Sequence, residues 1–274
     1  MSLDLNEVVR LLVAGNIPSP RLEARILLEY VGGSPFAEVD GKTEQKLRRL
    51  VEQRLAHTPL DKLLGRREFY KNEFVVNEDV LTPRPDTEIL VEAAIGLIRQ
   101  NGFKNVLDLG TGSGCIILSL LDDCPQLRGT AVDKSAAALE TARRNASRLG
   151  LTERISFVLG SWFADDFVQK TGDGFDLIVS NPPYIPTADI DALEPEVREH
   201  DPLSALDGGV DGFAHYQQIA SLTPLLLNKG GYILLEAGIG QARRVAEIFA
   251  GGGLNLVEIR PDLAGTERCV ILKK

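Results

Sequence analysis

The chain is short of the residues that build metal, redox and disulfide sites: three Cys, three His, one Met and one Trp in 274 residues. Cys115, Cys124 and Cys269 are odd in number and widely spaced, with no C-x-x-C pair. That argues against a disulfide framework and a thiolate zinc site, and it suits a reducing compartment. His57, His200 and His215 lack the spacing of metal ligands and are read as surface or core residues, so no metal is expected. No apolar run reaches the roughly 18 residues that a membrane span needs. The opening "MSLDLNEVVRLLVAG" carries acids and has no basic stretch leading into an apolar one, so no signal peptide is read and a cytoplasmic location is expected. Positive charge is also scarce: 30 Lys and Arg stand against 39 Asp and Glu, a net charge of −9. Residues 1–75 hold 12 basic and 11 acidic side chains, so the remainder is near −10. Such a body is a poor surface for nucleic acid, whose affinity comes largely from phosphate neutralisation. Repeats, low-complexity segments and coiled-coil heptads are absent too, and a monomer is expected.

What is present is ordinary soluble composition, 44% hydrophobic and 25% charged, with length for one large domain or two smaller ones. The first 60 or so residues read as helices. Leu3, Leu5, Val8, Val9, Leu11 and Leu12 form a helical stripe ended by Gly15. "SPRLEARILLEYVGG" offers Ser19 as a cap, Pro20 at the first helical position and glycines at the end. "KTEQKLRRLVEQRLAH" puts Leu47, Leu50, Val51 and Leu55 on one face, and its basic residues are read as a solvated face, the alternative being a partner-binding one. "EFYKNEFVVN" has hairpin content with a turn expected at Lys71-Asn72. "LTPRPDTEILVEAAIGLI" then turns helical, with Asp86 or Thr87 placed to cap.

From residue 105 the pattern alternates. Strands are expected at 105–110, 129–133, 155–160, 175–180, 232–238, 254–259 and 268–274, with helices between most of them and an antiparallel final pair. Alternation of this kind predicts an α/β fold with a doubly wound, mainly parallel seven-stranded sheet. The expected domains are a helical one at 1–62 for substrate docking, a hairpin linker at 63–82 and the sheet domain at 83–274.

"VLDLGTGSGCIILSL" puts Gly110, Thr111, Gly112, Ser113 and Gly114 between the first strand of that sheet and a helix. A dinucleotide fingerprint needs G-x-G-x-x-G. Counted from Gly110, the sixth position here is Cys115, and the spacing is instead D-x-G-x-G-x-G beginning at Asp108. That is the S-adenosylmethionine form of the turn, for a ligand with no pyrophosphate. Asp133 stands 25 residues after Asp108 at the end of the next strand, where a carboxylate can accept ribose hydroxyls. The blander reading is that the glycines serve packing and Asp133 caps a helix. Trp162, after the third strand, could cover an adenine or could be core.

"FDLIVSNPPYIP" ends a buried strand at Asn181 and follows it with two prolines and Tyr184. In a doubly wound sheet that strand end faces the same crevice as the glycine turn. An NH2 on a planar conjugated group is a poor nucleophile. The Asn181 oxygen and the Pro182 carbonyl can accept its two hydrogens, which orients it and stabilises the charge that grows on methylation. Pro182 and Pro183 stiffen the loop, and Tyr184 can stack on the flat acceptor. No side chain need act as a strong base. The pattern points to amino-group methyl transfer.

"LTPRPDTE", "LDLGTGSG", "SNPPYIP", "EPEV" with "ALDGGVDG", and "DLAGTERCVIL" together closely resemble the peptide chain release factor glutamine N5-methyltransferases, the HemK-like family, over the whole length. The resemblance implies a Rossmann-like class I methyltransferase that transfers a methyl group from S-adenosyl-L-methionine, leaving S-adenosyl-L-homocysteine. The acceptor it implies is the glutamine amide in the Gly-Gly-Gln loop of class 1 peptide chain release factors. By position it implies cofactor contacts from Gly110 to Gly114, Asp133, Trp162 and Asn181, and an acceptor held by Asn181, Pro182, Pro183 and Tyr184. Arg84 falls in a segment expected to close over the crevice, as a direct contact or as a surface arginine. A departure is "EHDP", where Asp201 stands before Pro202 and relatives often read Glu; that segment is expected in a lid. Two rival acceptors use the same chemistry: a ribosomal-protein glutamine, and a nucleic-acid amino group, for which no basic target-recognition region is found.

Overall fold

Residues 3–34 and 41–274 are described by the computed structural model; the parts of the expected 1–62 domain at 1–2 and 35–40 lie outside the described residues. The chain divides into two compact units, residues 1–66 with 194–200, and residues 67–193 with 201–274.

In the first unit, Asp4 accepts from the Glu7 N–H at 2.9 Å to start the helix Leu5–Ala14. Pro20–Gly32 and Gly41–Leu55 follow, the former closed by Gly33 in the left-handed region. Ser19 directly precedes Pro20 but, against expectation, makes no capping hydrogen bond; its backbone is itself left-handed at φ 52°. Val8, Leu12, Leu47 and Val51, from the two expected helical stripes, meet Leu27 and Leu28 of the middle helix in one core. One basic residue leaves the expected solvated face. Arg54 is 2% exposed, and its guanidinium binds Glu23 at 2.6 Å and Glu196 at 2.7 Å.

In the second unit a hairpin joins β1 (Arg66–Phe69) to β2 (Asn72–Val75). The turn lies one residue earlier than read. Tyr70 takes φ 55° and gives its N–H to Glu88 Oε1 at 3.0 Å, so Asn72 already belongs to the strand. The large sheet comprises β3 (Asn105–Leu109), β4 (Arg128–Asp133), β5 (Ile155–Leu159), β6 (Phe175–Ser180), β7 (Leu227–Glu236), β8 (Asn255–Pro261) and β9 (Glu267–Lys273). Their order is β5-β4-β3-β6-β7-β9-β8. The strands from β5 to β7 run parallel, and β9 lies antiparallel between β7 and β8. It is the mainly parallel, seven-stranded, doubly wound sheet that the alternation predicts.

Strand alternation puts successive side chains on opposite faces. Val106, Leu177, Val179, Leu234 and Ile271 pack on one side, with the helices Glu88–Asn101 and Cys115–Asp123. Leu107, Leu109, Ile178, Ile233, Leu235 and Leu272 pack on the other, with Ala214–Leu226 and Ala242–Gly251. The chain leaves β3 for β4 and β5 on one side and returns to β6 on the other. The carboxyl ends of β3 and β6 therefore flank the switch point where open α/β sheets form their crevice.

Candidate active site

Leu109 of β3 pairs with Ser180 of β6, and the Ser180 hydroxyl donates to the Leu109 carbonyl at 2.7 Å. The glycine turn and the Asn-Pro-Pro-Tyr segment leave the sheet from these two tied ends. At the turn, Gly110 has φ 76°, and a Cβ there would come within 3.3 Å of the Trp162 ring. Only glycine allows both that backbone and that approach. The Thr111 hydroxyl donates to Asp108 Oδ2 at 2.7 Å, while Asp108 Oδ1 is buried with no protein partner. Burial pushes the Asp108 carboxyl up to about 7 against the pull of Thr111, with the Asp133 charge adding to the rise.

Asp133 closes β4. Its Oδ2 accepts from the Gly112 N–H at 2.9 Å and its Oδ1 from the Ser135 N–H at 2.8 Å. Burial raises its pKa and these backbone bonds oppose the rise. Ser135 itself caps the helix Ala136–Arg148 by accepting from Ala138. Asp133 therefore braces the glycine turn, and each oxygen keeps a lone pair for a ligand.

Trp162 is 6% exposed. Its indole N–H donates to His215 Nδ1 at 3.1 Å, so the proton of a neutral His215 sits on Nε2, 3.1 Å from the Asp207 carbonyl. Burial lowers the His215 pKa, which favours that neutral form.

Beyond Asn181, the Tyr184 carbonyl accepts from Gln241 at 2.9 Å, and Ile185 exchanges backbone bonds with Leu206 and Gly208. A Cβ on Gly208 would lie 2.8 Å from the Tyr184 backbone, which gives the "ALDGGVDG" segment its need for glycine. Tyr184 is half-buried, and burial with the nearby Glu236 charge lifts its hydroxyl to about 12.

These elements wall a cleft of about 770 Å³, part of it open to solvent. Gly110, Thr111, Gly112, Ser113, Asp133, Trp162, Asn181 and Pro183 line it, as do Arg84, Thr87, Ser204 and Ala205. Gly114, Pro182 and Tyr184 stand beside it without forming its wall. Arg84 is held by a bond from its guanidinium to Asp201 Oδ2 at 3.0 Å, and Asp201 Oδ1 lies 3.4 Å from the Thr82 N–H. Asp201, expected out in a lid, is 6% exposed and anchors the segment that carries Arg84.

Sequence reading assigns no functional role to His215 or Glu236, and it offers Asp86 or Thr87 as a helix cap. Thr87 does stand at the start of Glu88–Asn101, yet its hydroxyl makes no cap bond and donates instead to Glu236 Oε2 at 2.6 Å. The signal for Glu236 was a carboxylate ending the apolar run "YILLE". Among the described residues no cluster of His, Cys, Asp and Glu could hold a metal, and no helix is long and apolar enough to cross a membrane.

Residues 86–193 match the methyltransferase small domain and residues 5–65 the PrmC N-terminal domain. A release factor glutamine methyltransferase of Rhodospirillum rubrum is 45% identical, the match covering 97% of this chain and 82% of that protein. The chain belongs to the release factor glutamine methyltransferase family. Another member, from Agrobacterium fabrum, is 37% identical over 100% of this chain and 97% of its own. A solved release factor-specific protein-(glutamine-N5) methyltransferase from Alicyclobacillus acidocaldarius is 32% identical, covering 73% of this chain and 99% of that one, with a TM-score of 0.45. This methyltransferase thus carries its glycine turn and its Asn-Pro-Pro-Tyr segment on one cleft at the sheet's switch point.

Proposed function

We propose that this enzyme transfers the methyl group of S-adenosyl-L-methionine to the side-chain amide nitrogen N5 of the glutamine in the Gly-Gly-Gln motif of class 1 peptide chain release factors. The observation that carries the reading is the shared wall of Asn181, Pro183, the Gly110–Ser113 turn and Asp133 in a single cleft.

The residues present fit the donor. Gly110 leaves no Cβ between backbone and ligand, Asp133 offers oxygens to a ribose diol, and Trp162 offers a ring to an adenine. Asp108 Oδ1, buried and without a protein partner below the turn, is the kind of acceptor an ammonium group requires. When bound, S-adenosyl-L-methionine supplies an electrophilic methyl on a sulfonium. The chain's part is positioning. Asn181 Oδ1 and the Pro182 carbonyl would accept the two amide hydrogens, align the nitrogen lone pair and stabilise the positive charge as the new bond forms. The prolines bring no N–H to compete for those acceptors. Tyr184, kept protonated, would stack on the flat amide. The extra proton of the methylated nitrogen is acidic enough to leave to water. S-adenosyl-L-homocysteine departs as product. Residues 1–62 would dock the release factor and 63–82 would link them to the catalytic residues 83–274, in an enzyme acting as a monomer in the cytoplasm.

The test is transfer from labelled S-adenosyl-L-methionine to a purified class 1 release factor, beside the same factor with its Gly-Gly-Gln glutamine replaced, ribosomal proteins, and DNA. Label on the intact factor alone is expected. Asn181→Ala should lower kcat by about 100-fold or more while unfolding at nearly the wild-type temperature. Label on ribosomal protein or DNA instead would overturn the acceptor, and near wild-type turnover by Asn181→Ala would overturn the role of that residue.

A further inference from the structure

An asparagine amide has two ends of nearly equal size and opposite hydrogen-bonding character. With its oxygen towards the cleft, Asn181 accepts from an acceptor's NH2; turned over, it meets that NH2 with its own. Something must choose between the two, because the cost of the wrong end is a pair of facing donors.

We propose that Thr87 and Glu236 form a positioning relay that fixes the Asn181 amide with its oxygen towards the acceptor. The inference rests on the reading of Asn181 given above. Register brings two of the three together: Ser180 of β6 stands opposite Leu235 of β7, so Asn181, just past β6, lies beside Glu236, the last residue of β7. Glu236 is 3% exposed, and its ionised carboxylate can only accept. Thr87 has a single hydroxyl proton, spent on Glu236 Oε2 at 2.6 Å. What Thr87 then shows to Asn181 is a lone pair. Only the NH2 end can answer it, and Asn181 Nδ2 does lie 3.5 Å from Thr87 Oγ1. That distance is long, as bonds at such sites often are before substrate tightens them. The direction of donation is nevertheless set, and it leaves Oδ1 for the cleft. The cost of the arrangement is visible in the chain itself, since Thr87 stands at a helix start and gives that helix no cap.

The relay depends on the charge of Glu236. Burial pushes its carboxyl up to about 7, against the bond from Thr87, the Arg268 guanidinium and the Asn181 amide, with Asp86 adding to the rise. Tyr184, Tyr216, Cys269 and Cys115 also feel its charge, and all four are driven further towards their neutral forms. Once protonated, Glu236 can donate to Thr87, whose own proton is then free to face Asn181 and turn the amide over. Activity should therefore have an acid limb that belongs to Glu236.

The experiment compares Thr87→Val, which keeps the shape and loses the hydroxyl, with Thr87→Ser, which keeps the hydroxyl, and with Glu236→Gln. Thr87→Val should lower kcat for release-factor methylation about tenfold or more, with cofactor Kd and the KM for the factor changed by less than about threefold. Thr87→Ser should restore kcat to within about threefold of wild type, and Glu236→Gln should lose the acid limb of the kcat profile. Alongside, the side-chain NH2 signals of Asn181, assigned by their loss in Asn181→Ala, should shift in Thr87→Val and return in Thr87→Ser, with no substrate present. Unmoved NH2 signals in folded Thr87→Val, or equal damage from Val and Ser, would overturn the relay. NH2 signals that follow Thr87 in an enzyme unable to label any release factor would uphold the relay and sink the acceptor assignment instead.

Discussion

Trp162 is the chain's only tryptophan, which turns one hydrogen bond into a spectroscopic signal. Its indole N–H is given to His215 Nδ1, and that bond exists only while the nitrogen keeps its lone pair. Burial holds the imidazole below its ordinary value of 6.5, with Lys134 acting the same way and the bond to the Asp207 backbone opposing. The sign follows. The unfolded chain takes up this proton more readily than the folded one, so His215 supports the fold at neutral pH and that support fades as pH falls through the lowered value. Emission from Trp162 should stay level at neutral and alkaline pH, then change as the imidazole charges below the ordinary histidine range. Affinity for S-adenosyl-L-methionine should weaken over the same range if the indole covers the adenine. His215→Gln should abolish the step in emission. A step that survives that substitution would mean that another group titrates beside the indole.

At the scale of elements, the cleft depends on how the glycine turn is fastened to its surroundings. Asn145, 1% exposed on the helix Ala136–Arg148, accepts from the Val75 N–H at 2.7 Å and donates to the carbonyls of Val75 and Ser113 at 3.0 and 2.9 Å. One side chain thus completes the free edge of β2 and holds the turn. Asn145→Ala would leave three backbone groups without their partner, and should lower the free energy of unfolding by about 2–4 kcal/mol. A drop in urea midpoint at unchanged slope would show it. A loss below about 0.5 kcal/mol would mean that water replaces the side chain without penalty. The fold's legibility divides along the same line. The seven strands, the glycine turn and the Asn-Pro-Pro-Tyr segment were readable because periodicity and turn chemistry are local. What escaped was non-local. Asn145 reaches Val75 across 70 residues and Thr87 reaches Glu236 across 149. The insertion of β9 between β7 and β8 is a matter of pairing, which local pattern does not encode. The turn at Tyr70 was missed by one residue because a tertiary bond to Glu88 pulls its N–H out of the hairpin pattern.

Across the whole molecule, the buried carboxylates decide how stability follows pH. Arg54 with Glu23 and Glu196 shows one solution, a buried charge met at once by opposite ones, and its net effect on the pKa of Arg54 is a rise. Asp108 and Glu236 show another. Both are desolvated with too little compensation, and both are pushed up to about 7 from ordinary values of 3.8 and 4.5. A carboxyl raised in the fold contributes stability that is whole below its unfolded value and is lost as pH rises through the folded one. Each should therefore withdraw something on the order of 3 kcal/mol between about pH 4 and 8. The net charge of −9 adds self-repulsion in the same direction. Asp176, Asp207 and Asp262 have lowered pKa values and act oppositely, losing their contribution as pH falls into the carboxylate range, but they lie near the surface and weigh less. The unit of residues 67–193 and 201–274 should accordingly be more stable near about pH 5 than at pH 8. Urea unfolding followed through Trp162, which belongs to that unit, measures this directly. Glu236→Gln should flatten the alkaline fall, and an equal fall in that variant would assign the loss elsewhere. The pH at which Glu236 carries the charge its relay needs is then the pH at which holding that charge weakens the fold, a trade of stability for an oriented amide.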